Sequence, residues 1–197
     1  MKIDWDSVVK IAEEYDQYTS HVRQVADIAM DLFDNLSSIN AMGEKNRDLL
    51  KCAALLHDLG WSGGQQQHHK RSRDIILSHP PKGLSNKEVA IVANVARYHR
   101  KGLPKSTHSG YSSLSILEQQ TVRYLAAILR IADGLDRTHR NMVRIHSCNV
   151  SSDAVIINII CRGDCSYELE AALKKADLFE QVFNLKVKFK LVADRKA

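Results

Sequence analysis

"CAALLHDLGW", residues 52–61, sets a histidine and an aspartate side by side at the end of a strongly apolar, helix-favouring run. A buried carboxylate is costly unless a cation or a metal meets it. The pair is therefore informative only if other segments bring matching ligands to the same place. Immediately around it, "NRDLLKCAALLHDLG" reads as one helix that stops at Gly60, with Leu50, Ala53 and Ala54 leading to His57 at helical steps.

The neighbouring segments are helical by the same criterion. Val22, Val25, Ile28, Ala29, Leu32, Phe33 and Leu36 recur at three- and four-residue steps and predict an amphipathic helix. After the loop "WSGGQQQ" a helix is expected from about His69 to Ser78, broken at "HPPKG". "SNKEVAIVANVARYHRKG" opens with a capping box, Ser85 and Glu88, and ends near Gly102. "SILEQQTVRYLAAILRIADGLDRTH" is expected to be the longest helix.

Near Met142 the period changes. "VRIHSCNV", the turn "SSD" and "AVIINIIC" predict a β-hairpin, and "SYELEAALKKADLFEQVF" returns to helical spacing. "LKVKFKL" alternates strictly, with Leu185, Val187, Phe189 and Leu191 on one face and three lysines on the other, as in a half-buried strand. The fold class expected is mainly α: a helical domain over residues 1–141, and a small β-β-α-β appendage over residues 142–197.

Composition sets limits on function. With 197 residues, 44% hydrophobic and 26% charged, the chain reads as an ordinary globular protein with one sizeable core. No apolar run reaches the roughly 18 residues of a membrane span, and "MKIDWDSVVK" lacks a signal-peptide apolar region, so a cytoplasmic setting is expected. Four cysteines without a CxxC pair suit that reduced setting; only Cys161 and Cys165 are close in sequence. A net charge of +5 suits an anionic ligand, although a solvated basic surface explains it too. Nucleic acid is not expected, because Phe189 and the lysines of "LKVKFKL" face opposite ways and form no stacking platform.

The nine histidines carry the argument further. His21 shares a helix face with Val25, Ile28 and Leu32; His99 follows Val92 and Val95; Asp133 follows Val122, Ala126 and Leu129. Together with His57, four helices each offer a metal-ligand type to the interior near a helix end. Taken singly, a histidine on an apolar face is as readily a satisfied core residue, and Asp133 before Gly134 could merely end its helix. Taken together with Asp58, they would each need a separate buried partner, whereas one shared cation satisfies all of them. Imidazole with carboxylate suits Mn, Fe, Co, Ni or Zn, with Mg also compatible; calcium would require more oxygen.

The order His21, His57-Asp58, Asp133 resembles the H…HD…D signature of the HD-domain metal-dependent phosphohydrolases. "LLHDLGW", "HHKRS", "VARYHRKGLPK" and "LRIADGLDRTH" further resemble the helical C-terminal domain of the exopolyphosphatase/guanosine-pentaphosphate phosphatase (Ppx/GppA) family, and the terminal strands with "KKADLFEQVF" extend the likeness to nearly the whole chain. The resemblance implies an HD-domain helical bundle in which His21, His57, Asp58 and Asp133 hold a first ion. Asp58 would bridge to a second ion, with His68 or His69, and His99, as its further ligands. Arg71 stands where family members often have another histidine, so one ion or two is left open.

The activity implied is hydrolysis of a nucleotide or other phosphate ester by attack of metal-bound water, with Asp58 as the catalytic carboxylate. Lys70, Arg71, Arg100, Lys101 and Arg137 are expected to contact the phosphorylated small-molecule substrate, arginine offering a fork for phosphate. His139 is a further residue that could approach it. The loop "LGWSGGQQQ" lacks the acidic pair that some single-metal HD hydrolases carry after the HD dipeptide. A second reading is therefore kept: a non-catalytic, metal-containing module that binds polyphosphate or (p)ppGpp-like anions. In either case the terminal unit could pair between subunits to form a homodimer.

Overall fold

The structure, a computed structural model, describes residues 2–193. The outermost positions of the two expected units, residue 1 and residues 194–197, lie outside the described residues. Helices α1 (Trp5–Glu14), α2 (Ser20–Asn35), α3 (Ser37–Asn40), α4 (Glu44–Leu56), α5 (His68–Ser78), α6 (Asn86–Arg97), α7 (Ser109–Ser112) and α8 (Ile116–Gly134) come first. Strands β1 (Val143–Val150) and β2 (Ala154–Cys161), helices α9 (Ser166–Lys174) and α10 (Asp177–Phe183), and strand β3 (Lys186–Leu191) follow. The fold is mainly α with a small C-terminal sheet, as the periodicities predict.

Local chemistry sets the boundaries. Thr19 caps α2 by accepting from the Val22 N–H, and Ser85 with Glu88 forms both arms of the expected capping box on α6. The α4 helix differs from expectation at its end. It finishes at Leu56 with His57 as C-cap, and a 3₁₀ turn follows over Leu59–Gly63. Gly60 lies inside that turn, where a Cβ would stand 2.2 Å from the His68 carbonyl oxygen. Its role is to let α5 approach, and the helix stops before it.

The sheet runs in the order β1-β2-β3, with β1 antiparallel to β2 as a hairpin and β3 parallel to β2. The single helix expected over "SYELEAALKKADLFEQVF" is two helices, parted at Lys175 and Ala176. There the Arg130 guanidinium takes the Lys175 carbonyl, and Asp177 turns its own carboxylate to the Leu178 N–H. Cys161 and Cys165, expected to be reduced, are joined as a disulfide. The tight return from β2 to α9 sets their Cα atoms 6.4 Å apart, within bonding reach, while Cys52 and Cys148 are free thiols.

The apolar core is continuous from the helices into the C-terminal unit. Val25, Leu50, Val92 and Leu129 belong to the same buried cluster as Val155, Ile157, Ala172, Leu178 and Phe179. At the seam between α8 and α9, a Cβ on Gly134 would stand 2.5 Å from the Ala172 Cα. Among the described residues no helix is long and apolar enough to cross a membrane.

Candidate metal centre

Four helix ends meet at one point. His21 is the second residue of α2, His57 caps the C-terminus of α4, His99 lies just beyond α6, and Asp133 is the penultimate residue of α8. Asp58 follows His57, and His68 opens α5. All four imidazoles are buried.

Each ring is aimed the same way. His57 Nδ1–H donates to the Ala54 carbonyl at 2.7 Å, His68 to Gln65 at 3.0 Å and His99 to Ala96 at 2.6 Å. His21 Nδ1–H donates to Asp136 Oδ2 at 2.8 Å. With Nδ1 so engaged, every Nε2 is turned toward the centre, which is how outer partners orient metal-ligating histidines.

The inward atoms fall into two sets around Asp58. His21 Nε2 is 3.8 Å and His57 Nε2 3.5 Å from Asp58 Oδ2, and the same two nitrogens are 3.5 and 3.9 Å from Asp133 Oδ1. On the other side His68 Nε2 is 3.3 Å and His99 Nε2 3.7 Å from Asp58 Oδ1, with 3.3 Å between the two nitrogens. Ligand bonds of roughly 2.0–2.2 Å bring such atoms to about 3–3.5 Å from one another, so each set is close to what a transition-metal ion would draw together. Buried His57 Nε2 and Asp58 Oδ1 lack a hydrogen-bond partner among the described residues. Orphaned lone pairs in a buried polar cluster suit a cation, and His21/His57/Asp133 and His57/Asp58/His99 are groups able to hold one.

The electrostatics agree. Burial pushes Asp58 and Asp133 up, but the facing histidines hold Asp58, and Lys175 with His21 holds Asp133, well below the usual carboxylate range. His21 is raised to about 9: burial works against its charge, and its bonds to Asp133 and Asp136 outweigh that. Burial, with His57 beside it, keeps His99 neutral.

Above these atoms lies a cleft of about 260 Å³. Arg100, Lys101 and Arg137, expected as substrate contacts, line it. Lys70 lies in an adjoining cleft that shares Arg100 and Lys101 as its wall. His69 also faces that second cleft, its ring 6.0 Å from the ring of His68 and 6.5 Å from that of His99. Arg71 enters neither cleft. Its Nε donates to Gly60 O at 2.9 Å and Nη1 to Gln66 O at 2.5 Å, while Nη2 donates to Gly64 O, so it clamps the loop behind the HD turn.

Several residues at the centre escaped the sequence reading. Asp136, which orients His21, stands three residues beyond Asp133, and that spacing was a usable signal. Lys175, whose Nζ bonds Asp133 Oδ2, and Lys174 on the cleft wall come from the C-terminal unit, and no local pattern points to them. Of residues the sequence did point to, Trp61 stacks on His68 with ring centroids 4.8 Å apart, and His139 lies flat on His21 at 3.8 Å.

Comparison with known proteins agrees with this architecture. The chain is 28% identical over 121 residues to a guanosine-5'-triphosphate,3'-diphosphate pyrophosphatase of Pseudoalteromonas translucida (strain TAC 125), over 59% of this chain. That stretch covers 24% of the relative, so the chain corresponds to only about a quarter of that protein. The family model for Ppx/GppA phosphatase, domain III, matches residues 3–182, and the chain belongs to that family.

Proposed function

We propose that the chain is a metal-dependent phosphohydrolase of the HD type, acting on a nucleotide or other phosphate ester. One observation carries the reading. The two oxygens of buried Asp58 face two separate pairs of histidines, and all four rings are turned inward by bonds at Nδ1. His21, His57, Asp58 and Asp133 would hold a first divalent ion, and Asp58, His68 and His99 a second. An ion in such a site acidifies water and neutralises phosphoryl oxygens.

The protein's own groups do the rest. Arg100, Lys101, Arg137, Lys174 and Lys175 line the cleft and engage the non-bridging oxygens. Asp58, held ionised between the two sets of ligands, would orient the attacking water. Trp61 and the His139–His21 stack flank the reacting centre. The pyrophosphatase activity that the relative's name describes belongs to a protein of which the matching stretch covers only 24%, and it is not carried over as such.

The test is metal analysis of the purified chain, then a screen with added Mn²⁺ against bis-p-nitrophenyl phosphate, nucleoside mono- and diphosphates, cyclic nucleotides and (p)ppGpp. Turnover that requires metal and is lost in Asp58→Ala is expected. Tight anion binding with no turnover on any substrate would favour the second reading, a binding module. The loop Leu59–Gln67 supports that alternative, since it brings no carboxylate to the cleft.

A further inference from the structure

Arg130 lies within α8, one turn before Asp133, and is 3% exposed. Its guanidinium touches neither cleft. Nη1 donates to the carbonyls of Tyr98 at 3.2 Å and Lys101 at 3.4 Å. Nε donates to Lys175 O at 3.2 Å, and Nε and Nη2 reach Asp177 Oδ1 at 3.2 and 2.8 Å. Tyr98 and Lys175 are the C-caps of α6 and α9. One cation therefore sits against the negative ends of two helices, closing carbonyls that no further helical turn can satisfy.

The two helix ends carry parts of the centre. His99 stands between the two carbonyls that Nη1 holds, beside Arg100 and Lys101 of the cleft wall. Lys175 places its ammonium on Asp133 Oδ2. We propose that Arg130, anchored by Asp177, is a positioning residue: it fixes His99 at the end of α6 and so sets the second half of the centre. The inference rests on the proposed function only in taking His99 as a ligand. Lysine cannot replace it, because a single ammonium lacks the planar fork that serves two helix ends and a carboxylate at once.

The experiment reads the imidazoles directly. In metal-free protein labelled with ¹⁵N-histidine, ring spectra of Arg130→Lys and Asp177→Asn are compared with those of the unaltered chain. The His99 ring is expected to move in both variants while His21 and His57 stay in place. Co²⁺ titration is then expected to show the His68/His99 step weakened about ten- to a hundredfold, with the His21/His57/Asp133 step unchanged to about twofold. A His99 ring that does not move, or four rings that move alike, overturns the positioning role. Should Arg130→Lys fail to fold, Asp177→Asn alone decides by the same spectra. If the unaltered chain takes up no cation, the proposed function fails, and the ring spectra still decide the role of Arg130.

Discussion

Raising the pH of the metal-free protein should destabilise it, and His21 is the reason. Its pKa is raised from 6.5 to about 9; burial disfavours the charge, and hydrogen bonds to Asp133 and Asp136 with the charge of Asp58 more than restore it. A group whose folded pKa lies above its unfolded value contributes stability below the unfolded pKa and loses it as pH climbs through the folded one. For His21 that window is pH 6.5 to 9. At about 1.4 kcal/mol per unit the loss is about 3 kcal/mol, a sizeable part of a typical domain's stability. The side chain is only 4% exposed, so solvent screening removes little of it. Below pH 6.5 the sign reverses, because His99 and His69 are held neutral and their contribution is lost as acid charges them. Urea unfolding in chelator should therefore show greatest stability near pH 6.5, falling by about 3 kcal/mol toward pH 9. A bound divalent ion must displace the His21 proton, so uptake at pH 7.5 should release about one proton, and the apparent affinity should improve about tenfold per pH unit. Flat or rising stability between pH 6.5 and 9 in chelator would refute this account of His21.

Gly134→Ala would put a methyl 2.5 Å from the Ala172 Cα, and neither backbone can yield without parting α8 from α9. A loss of about 1–3 kcal/mol is expected, seen as a lower midpoint in thermal unfolding; unchanged stability would show that the seam is loose. Asp136→Asn leaves His21 Nδ1 without its carboxylate and should weaken cation binding about ten- to a hundredfold in chelator competition, against no change if Asp136 merely fills space. Lys175→Met removes the ammonium on Asp133 Oδ2, so the midpoint rise on adding metal should be larger than in the unaltered chain. An equal or smaller rise would mean that Lys175 does not balance that carboxylate. A chain ending at residue 141 loses Lys175, Ala172 and the Asp177 partner of buried Arg130, and should not give a cooperative unfolding transition; a sharp one would make the helical part an independent domain.

What the sequence disclosed was what its local period encodes. His21, His99 and Asp133 could be placed on apolar helix faces because a residue three or four steps from a buried valine or leucine shares its environment. The Ser85–Glu88 box is a contact between neighbours, and it formed as read. The departures at Gly60 and between α9 and α10 were set by tertiary contact, whereas the Cys161–Cys165 disulfide closes over four residues. Gly60 had the look of a helix stop, but the nearness of the His68 carbonyl decides its identity. Arg71 had the chemistry of a phosphate ligand, and its guanidinium is engaged by three loop carbonyls. The break between α9 and α10 follows from a guanidinium some 45 residues away in sequence, which no window along the helix could contain.

The end of α8 shows how one short stretch can organise a centre drawn from the whole chain. Arg130, Asp133 and Asp136 are three residues apart, so they follow one another along the same side as α8 runs out into the turn after Gly134. Each does different work there. Arg130 closes the ends of α6 and α9, Asp133 turns one oxygen to His21 and His57 and the other to Lys175, and Asp136 fixes the ring of His21. Asp136 also accepts the Asn141 N–H, and buried Glu168 of α9 accepts from the Thr138 N–H and Oγ1, so the turn that carries His139 is held from both sides. The C-terminal unit is thus part of the centre's construction: α9 contributes Glu168, the Lys174 wall and the Lys175 ammonium, and Asp177 of α10 anchors Arg130. A helical layer alone could gather the histidines, but the cations that answer Asp133 and would meet a phosphoryl group arrive from both halves of the chain.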